Sequence, residues 1–264
     1  MNDAQIDTLL AAAEAAADAA RAPTLRWFRN GVAVDDKGCG RFDPVTAADR
    51  EAETAMRAAL SRLRPNDAVL GEEQGATAGA SGLTWVLDPI DGTRGYIAGS
   101  PTWGVLVALN DGRRPVIGVI DQPFTGERFV GAAGRPSAWR RGAETRPLRA
   151  RACATLGEAT LLSTFPEVGA AAERAGFEAV RDRVRLTRYG LDCYGYALLA
   201  AGCVDLVIEA GLQPYDVQAL IPVIEGAGGV ITGWRGEDCQ QGGRVVAAGD
   251  PRVHAEALAL LAAV

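Results

Sequence analysis

Apolar residues recur along the chain with two different spacings, which predict helices and strands in alternation. Residues 3–30 and 47–63 carry alanine and leucine at helical intervals between charged residues. Shorter apolar runs, bounded by glycine, proline or acids, are typical of strands. They predict strands at 68–70, 85–87, 103–109, 115–121, 127–131, 159–163, 184–188, 204–209, 230–232 and 244–247, with further helices at 167–184, 192–201, 213–227 and 251–263.

The order of these elements changes near residue 150, where we expect a domain boundary. Residues 1–150 are predicted to form an N-terminal α+β domain, and residues 151–264 alternate strand and helix as a C-terminal α/β domain. Residues 135–151, just before the boundary, carry arginines among proline and glycine. We interpret this segment as a solvated linker or a subunit surface. A nucleic-acid patch is less favoured, because Trp139 is its only aromatic residue.

Composition narrows the possible chemistry. The net charge of −6 disfavours a general nucleic-acid partner. The only histidine, His254, lies in the predicted terminal helix and is interpreted as a packing or surface residue. A Ser-His-Asp triad or a zinc site with several histidines is therefore excluded. Acid–base chemistry must come from carboxylates, hydroxyls and water activated by a metal.

Cysteine usage and the N-terminal residues favour a cytoplasmic protein. The five cysteines show no CxxC spacing and are an odd number, which indicates reduced thiols. The first twenty residues contain acids where a signal peptide needs basic residues, and no uncharged apolar run reaches the roughly 18 residues that span a bilayer.

The stretch from Thr84 to Leu109 carries the strongest chemical signal. An apolar run ends in Asp88, and Asp91 follows within the sequence DPIDGT. Two acids at the end of a buried strand are costly unless a positive group neutralises them. The free N–H groups after Asp91, at the start of a short helix, would suit phosphate oxygens.

Other predicted strands also end in acids. Glu72 and Glu209 lie at such positions, and Asp216 lies at the start of a predicted helix; with Asp88 and Asp91 these acids can converge on one site. Oxygen ligands select hard cations such as Mg²⁺, Mn²⁺ or Ca²⁺, and two ions about 4 Å apart can clamp a phosphate. A structural Asx-turn would explain DPIDGT alone, but not the remaining acids. A haloacid-dehalogenase-type phosphatase fits less well, because its two acids are two residues apart and Lys37 is the only lysine here.

Three motifs, in the same order, resemble the inositol monophosphatase superfamily. They are Gly71-Glu72-Glu73, the segment WVLDPIDGT at 85–93, and YDVQALIPVIEGAGG at 215–229. The resemblance implies a layered αβαβα sandwich, of mixed α+β and α/β character, and usually a homodimer. It also implies lithium-sensitive hydrolysis of phosphomonoesters that depends on Mg²⁺, with two or three ions and Mn²⁺ as a possible substitute. Tyr215 departs from the tryptophan that many members have there.

The resemblance also implies roles for individual residues. The metal ligands would be Glu72, Asp88, the Ile90 carbonyl, Asp91 and Asp216. Thr93 would orient the attacking water together with Glu72, and Asp43 would support Thr93. The backbone of Gly92 and Thr93 would bind the phosphate. Attack by water would be direct and in line, with no phosphoenzyme.

Substrate choice is predicted from segments near 118–128, 188–196 and 209–216, which look most like the histidinol-phosphate phosphatase branch. Arg188, Asp192 and Glu209 are the candidate substrate-binding residues. Histidinol phosphate carries an ammonium group and an imidazole, which Asp192 and Glu209 can neutralise; alternatively, Asp192 only caps its helix.

Three other functions stay open at this point. Inositol monophosphatase, or a broad small-molecule phosphatase, is the first alternative. A regulatory protein-binding role would rest on the arginines of 135–151. A nucleotide 3′-phosphatase would need an adenine pocket, which the sequence does not locate.

Overall fold

The N-terminal half folds as two long helices on a large sheet. The computed structural model describes residues 1–31, 33–36, 38 and 44–262. The helices are α1 (Asp3–Trp27), α2 (Ala47–Leu63) and the short α3 (Thr93–Ile97); the strands are β1 (Val34–Asp36), β2 (Pro44–Thr46), β3 (Ala68–Gly71), β4 (Gly75–Thr77), β5 (Thr84–Asp91), β6 (Gly104–Asn110), β7 (Pro115–Gln122), β8 (Glu127–Ala132), β9 (Ala138–Arg141) and β10 (Glu144–Pro147). Strands β3 to β10 form one sheet in the order β10-β9-β8-β7-β6-β5-β3-β4, in which only the β3–β5 pair is parallel.

The C-terminal half builds a second, smaller sheet. After a 3₁₀ turn at Leu156–Glu158 come β11 (Thr160–Ser163), α4 (Ala171–Arg181), β12 (Leu186–Tyr189), α5 (Asp192–Ala200), β13 (Leu206–Leu212), α6 (Pro214–Val217), α7 (Leu220–Gly226), β14 (Val230–Thr232), β15 (Gly243–Ala248) and α8 (Pro251–Leu261). Its strand order is β12-β11-β13-β15-β14. Strands β12, β11 and β13 are parallel, and β15 runs antiparallel to its neighbours.

Alternating side chains on the strands produce three apolar layers. On β5, Trp85 and Leu87 pack with α1 and α2, whereas Val86 points to the opposite face. That second face meets α5 and α7, which in turn cover the small sheet through residues such as Val207. The neighbouring Leu206 packs on the far side, with α4 and α8. The order helix, sheet, helix, sheet, helix confirms the predicted αβαβα sandwich.

The sequence predicted the bounds of one helix and missed a break in another. The predicted helix 47–63 is α2, and Thr46 caps it by accepting from the backbone N–H of Ala48. The predicted helix 213–227 is divided into α6 and α7 instead. The break lies at Gln218 and Ala219, where the backbone approaches β7 so closely that a Cβ on Gly118 would lie 2.0 Å from the Ala219 carbonyl oxygen.

Residues 135–151 do not form the solvated linker that was one interpretation of them; the other interpretation, a subunit surface, stays a prediction. Strands β9 and β10 form an antiparallel hairpin at the edge of the large sheet. Two arginines of residues 135–151 reach acids on α1: Arg135 Nη1 donates to Asp7 Oδ1 and Arg140 Nη1 to Glu14 Oε1, both at 2.5 Å. These contacts join residues more than 120 positions apart, so the local composition did not reveal them.

The structure also describes His254 and most of the cysteines. His254 is buried, and its Nε2 lies 2.9 Å from Thr232 Oγ1, which fits a packing residue. Within the part of the chain that the structure describes, Cys153, Cys193, Cys203 and Cys239 are free thiols, while Cys39 lies outside it. None of the described helices has the length and apolarity needed to cross a membrane. The domain boundary near residue 150 stays a prediction.

Candidate metal and phosphate site

Strand β5 delivers Asp88 and Asp91 to one end of the large sheet. The ladder to β6 is irregular between these two residues, so their side chains leave the ordinary alternation. Asp88 is 1% exposed, and its Oδ1 accepts from the backbone N–H of Ile90 at 3.0 Å. Asp91 Oδ2 accepts from the N–H of Cys193 at 2.6 Å. The second contact joins the end of β5 to the first turn of α5.

A cluster of carboxylates forms where the two halves meet. Ligand oxygens of Asp88, Asp91 and Asp216 all lie within 4.8 Å of one another. Asp216 is held in the first turn of α6, where its Oδ2 accepts from the Gln213 N–H at 2.7 Å. Glu72 follows β3, and its N–H donates to the Leu87 carbonyl at 3.1 Å. Asp88, Asp91 and Asp216 thus lie together in the structure, and their role as metal ligands stays a prediction.

The cluster concentrates negative charge in a buried place. Burial raises the pKa of Asp88 well above its usual range, and the charges of Glu72, Asp91 and Asp216 raise it further. Burial also raises the pKa of Asp91, with Asp192 and Asp216 adding to the effect. Such a site is costly unless a proton or a cation neutralises it. Because all the donors are oxygens, the residues present fit a hard divalent cation.

A buried glutamate on α2 fixes the turn that carries Glu72. Glu53 accepts from the N–H groups of Glu73 and Gln74 at 2.7 and 3.1 Å. Its charge is balanced by Arg57, whose Nε donates to Oε1 at 2.7 Å. The turn packs so tightly that a Cβ on Gly71 would lie 2.2 Å from that Oε1. Sequence reasoning missed this contact, because it joins Glu53 to a residue 20 positions away.

Thr93 is held by groups from two elements. Its Oγ1 lies 3.1 Å from the Ile90 carbonyl oxygen and 3.5 Å from Asp49 Oδ1. Asp49 is itself fixed by Thr46, whose N–H and hydroxyl donate to Oδ2 at 2.8 and 2.6 Å. Burial raises the pKa of Asp49 to about 6, although the bonds from Thr46 oppose the rise. Thus Asp49 supports Thr93, whereas the residue predicted for this role, Asp43, lies outside the described residues.

Gly92 provides a close approach between the two halves. Its φ of 84° is in the left-handed region, and a Cβ there would lie 2.8 Å from Cγ of Asp192. It is the N-cap of α3, so the first N–H groups of that helix face the same end of β5. The phosphate-binding role of Gly92 and Thr93 stays a prediction.

Beside the carboxylates lies a cavity of about 200 Å³. Its polar lining comes from Asp91, Thr164, Asp192, Tyr196, Glu209 and Asp216, and Phe165 lies on its apolar side. The guanidinium of Arg94 stacks on the Phe165 ring, 5.0 Å from its centroid. The predicted substrate residues Asp192 and Glu209 therefore adjoin the carboxylate cluster.

The surroundings of Asp192 and Glu209 both disfavour the charged form of the carboxyl group. Burial raises the pKa of Asp192 to about 6, against the opposing effects of Arg94 and Thr164. Burial raises the pKa of Glu209 to about 8, although Thr164 donates to its Oε1 from the backbone N–H at 3.1 Å and from the hydroxyl at 2.7 Å. Thr164 was not identified from the sequence, since its only local signal is its place just after β11.

Arg188 is not brought to this cavity. It lies exposed on β12, the outer strand of the small sheet, opposite Leu162 of β11. The lining of the cavity comes instead from the loop after β11, from α5 and from β13. The sequence prediction grouped Arg188 with Asp192 because both belong to the segment 188–196 that resembles the histidinol-phosphate phosphatase branch, but β12 ends before the chain turns into α5.

Comparisons with known proteins agree with this geometry. The family model described as "Inositol monophosphatase family" matches residues 5–264. The bifunctional phosphatase IMPL2, chloroplastic, of Arabidopsis thaliana is 41% identical over 98% of this chain and 76% of its own length. A histidinol-phosphatase of Streptomyces coelicolor is 36% identical over 93% of both chains. The structure of an inositol monophosphatase from Zymomonas mobilis is similar with a TM-score of 0.86, at 38% identity over 99% of this chain and 100% of the other. The chain therefore belongs to the inositol monophosphatase family, whose members are phosphatases that depend on a metal.

Proposed function

We propose that this chain is a Mg²⁺-dependent histidinol-phosphate phosphatase. The observation that carries this proposal is the pair of acids, half-buried Asp192 and buried Glu209, that line the cavity beside the carboxylate cluster. Acids in such surroundings favour a cationic leaving group, because a positive charge there restores the neutrality that burial otherwise demands. The similar protein of Streptomyces coelicolor that is named a histidinol-phosphatase supports the same substrate.

The metal would be held by Glu72, Asp88, Asp91, Asp216 and the Ile90 carbonyl. When bound, Mg²⁺ supplies charge neutralisation for the phosphate oxygens and lowers the pKa of water. The protein groups supply the orientation. The Thr93 hydroxyl, held by Asp49, and the Glu72 carboxylate would fix the attacking water in line with the leaving oxygen. The N–H groups of Gly92 and Thr93 would donate to the phosphate.

The leaving alcohol would occupy the cavity of about 200 Å³. Its ammonium group would lie against Asp192 and Glu209, and its imidazole would have the Phe165 ring, 42% exposed, as an apolar surface. Burying one charge opposite another is favourable only when both are well placed, which gives selectivity against neutral alcohols. Arg188 would not take part in this contact, since its strand lies away from the cavity.

Inositol 1-phosphate is the alternative substrate. The observation that favours it is the pKa of about 8 for Glu209, because a protonated carboxyl can donate to a polyol hydroxyl. The similar structure from Zymomonas mobilis is named an inositol monophosphatase. A broad phosphatase that accepts both compounds would combine the two possibilities.

A regulatory protein-binding role receives less support. It depended on the arginines of 135–151 being available to a partner. Among the described residues, four of them form ion pairs: Arg135 with Asp3 and Asp7, Arg140 with Glu14, Arg146 with Glu144, and Arg151 with Asp205. A partner would have to compete with these contacts.

Phosphate release from a panel of compounds tests the proposal. Histidinol phosphate, inositol 1-phosphate, fructose 1,6-bisphosphate and adenosine 3′,5′-bisphosphate are compared with and without Mg²⁺. We expect histidinol phosphate to have the highest kcat/KM, Mn²⁺ to replace Mg²⁺, and Li⁺ to inhibit. A preference for inositol 1-phosphate would contradict the substrate assignment, and activity without a divalent ion would contradict the metal assignment. We also expect a homodimer, measurable by light scattering, and a cytoplasmic location.

A further inference from the structure

Tyr196 presents a buried hydroxyl that makes no hydrogen bond. The residue is 2% exposed, and among the residues that the structure describes its Oη has no donor or acceptor partner. A buried polar group without a partner is destabilising, so native proteins rarely leave one without a reason. The neighbouring tyrosine of the same helix behaves in the usual way, since Tyr194 Oη donates to Glu127 Oε2 at 2.7 Å.

The position of Tyr196 gives the reason. It lies one helical turn after Asp192 on α5 and lines the same cavity as Asp192, Glu209 and Asp91. Burial raises the pKa of the Tyr196 phenol well above its usual value, and Glu209 is the charged group that adds most to this rise. Both hydrogen bonds from Thr164 go to Oε1 of Glu209, and neither goes to Oε2. Tyr196 and Glu209 therefore line one cavity, whose other carboxylates are Asp91, Asp192 and Asp216.

We propose that the Tyr196 hydroxyl is a binding group for the ammonium of the leaving alcohol, acting together with Glu209. An ammonium has three N–H donors and no acceptor. One donor would meet Glu209, a second the phenolic oxygen of Tyr196, and a third Asp192. The bound substrate would thus provide the hydrogen bond that the hydroxyl lacks in the free protein. This assignment rests on the proposed function and adds a residue that selects for the amino group.

The test compares Tyr196→Phe with the wild type on two phosphomonoesters. One is histidinol phosphate, and the other is 3-(imidazol-4-yl)propyl phosphate, which lacks only the amino group. A hydrogen bond to a charged group contributes enough to predict a loss of about tenfold or more in kcat/KM for histidinol phosphate. For the deamino compound the variant and the wild type should differ by less than about twofold, since that compound has no N–H donor at this position. Most of the loss should appear in KM.

Two measurements separate this role from a structural one. Tyr196→Phe removes a hydroxyl without a partner, so its melting temperature should equal or exceed that of the wild type. Tyr194→Phe is the matched control on the same helix: it loses the bond to Glu127, so its melting temperature should fall, while its preference between the two substrates stays that of the wild type. An equal loss on both substrates, or a lower melting temperature for Tyr196→Phe, would overturn the proposal.

The outcomes also distinguish this proposal from the proposed function. If the wild type hydrolyses histidinol phosphate poorly compared with inositol 1-phosphate, the proposed function fails. If the wild type prefers histidinol phosphate and Tyr196→Phe hydrolyses it equally well, the proposed function stands and the role of Tyr196 is wrong.

Discussion

Two buried aspartates on the large sheet have opposite surroundings. Asp121 on β7 is fully buried and is bound by two arginines: Arg21 donates to it at 2.9 and 2.6 Å and Arg128 at 2.7 Å. Asp88 on β5 is equally buried, but the charged groups that shift its pKa are the acids Glu72, Asp91 and Asp216, which raise it. Where the acid holds the fold together, the chain supplies its own cations. Where the acids gather at the cavity, the arrangement favours a cation from solution.

The largest effect is expected at the acidic cluster. Asp91→Asn keeps the size of the side chain and can still accept from the Cys193 N–H, but it removes one of the charges that would hold the metal. We expect kcat/KM to fall by about 10³-fold or more, with the circular dichroism spectrum and melting behaviour of a folded protein. Phosphate release with the preferred substrate measures the loss. Activity of the variant at the wild-type level would show that Asp91 is not part of the site.

Substitution of Asp121 is expected to lower the stability of the fold rather than the catalytic activity. Asp121→Asn leaves Arg21 and Arg128 without their shared carboxylate, and Arg128 is 8% exposed. We expect a loss of about 2 to 3 kcal/mol in the free energy of unfolding, measured by urea denaturation, with little change in kcat for the folded protein.

A surface ion pair serves as the control for that measurement. Glu225→Gln breaks the contact with Arg114, in which both side chains are more than two-fifths exposed. Such pairs contribute about 0.5 kcal/mol or less. If Asp121→Asn costs no more than this control, the two arginines are not essential partners of the buried acid.

Substitution of Asp88 is expected to change stability in the opposite direction. The pKa of Asp88 is raised in the folded protein, so its ionisation destabilises the metal-free fold increasingly as the pH rises above 3.8, the usual value for aspartate. Asp88→Asn removes this cost while its Oδ1 can still accept from the Ile90 N–H. In the presence of a chelator at pH 8, we expect the variant to be more stable than the wild type by about 1 kcal/mol, and the gain to shrink towards pH 5.

Unfolding of Asp88→Asn and of the wild type in chelator, between pH 5 and pH 8, tests directly which of the two proteins is more stable. Added Mg²⁺ should reverse the order at pH 8, because it stabilises only a protein that can bind it. A variant that is less stable than the wild type in chelator at every pH would show that Asp88 is satisfied within the chain, as Asp121 is.

The sequence was sufficient where the signal was local. An apolar run ending in Asp88 and Asp91, and the capped helix Ala47–Leu63, both describe a few neighbouring residues, and the structure contains them at those positions. The αβαβα layering was predicted through the resemblance of whole motifs, which carry information that periodicity lacks. The role of each site residue stays a prediction until it is tested by substitution.

The sequence was insufficient where contacts join distant segments. Glu53 and Asp49 are acids on the buried face of α2, and only the fold shows that they meet the turn after β3 and Thr93. Tyr196 gave no signal, because a missing hydrogen bond becomes visible only in three dimensions. Arg188 belongs to the same resembling segment as Asp192, but it does not line the cavity, and its substrate-binding role stays a prediction.

Calorimetric titration of Mg²⁺ into the wild type, Asp91→Asn and Asp121→Asn tests the central contrast most directly. If the acids at the end of β5 form the metal site, the wild type and Asp121→Asn bind Mg²⁺ with similar affinity, and Asp91→Asn loses measurable binding. Undiminished binding by Asp91→Asn, or no binding by the wild type, would contradict the account.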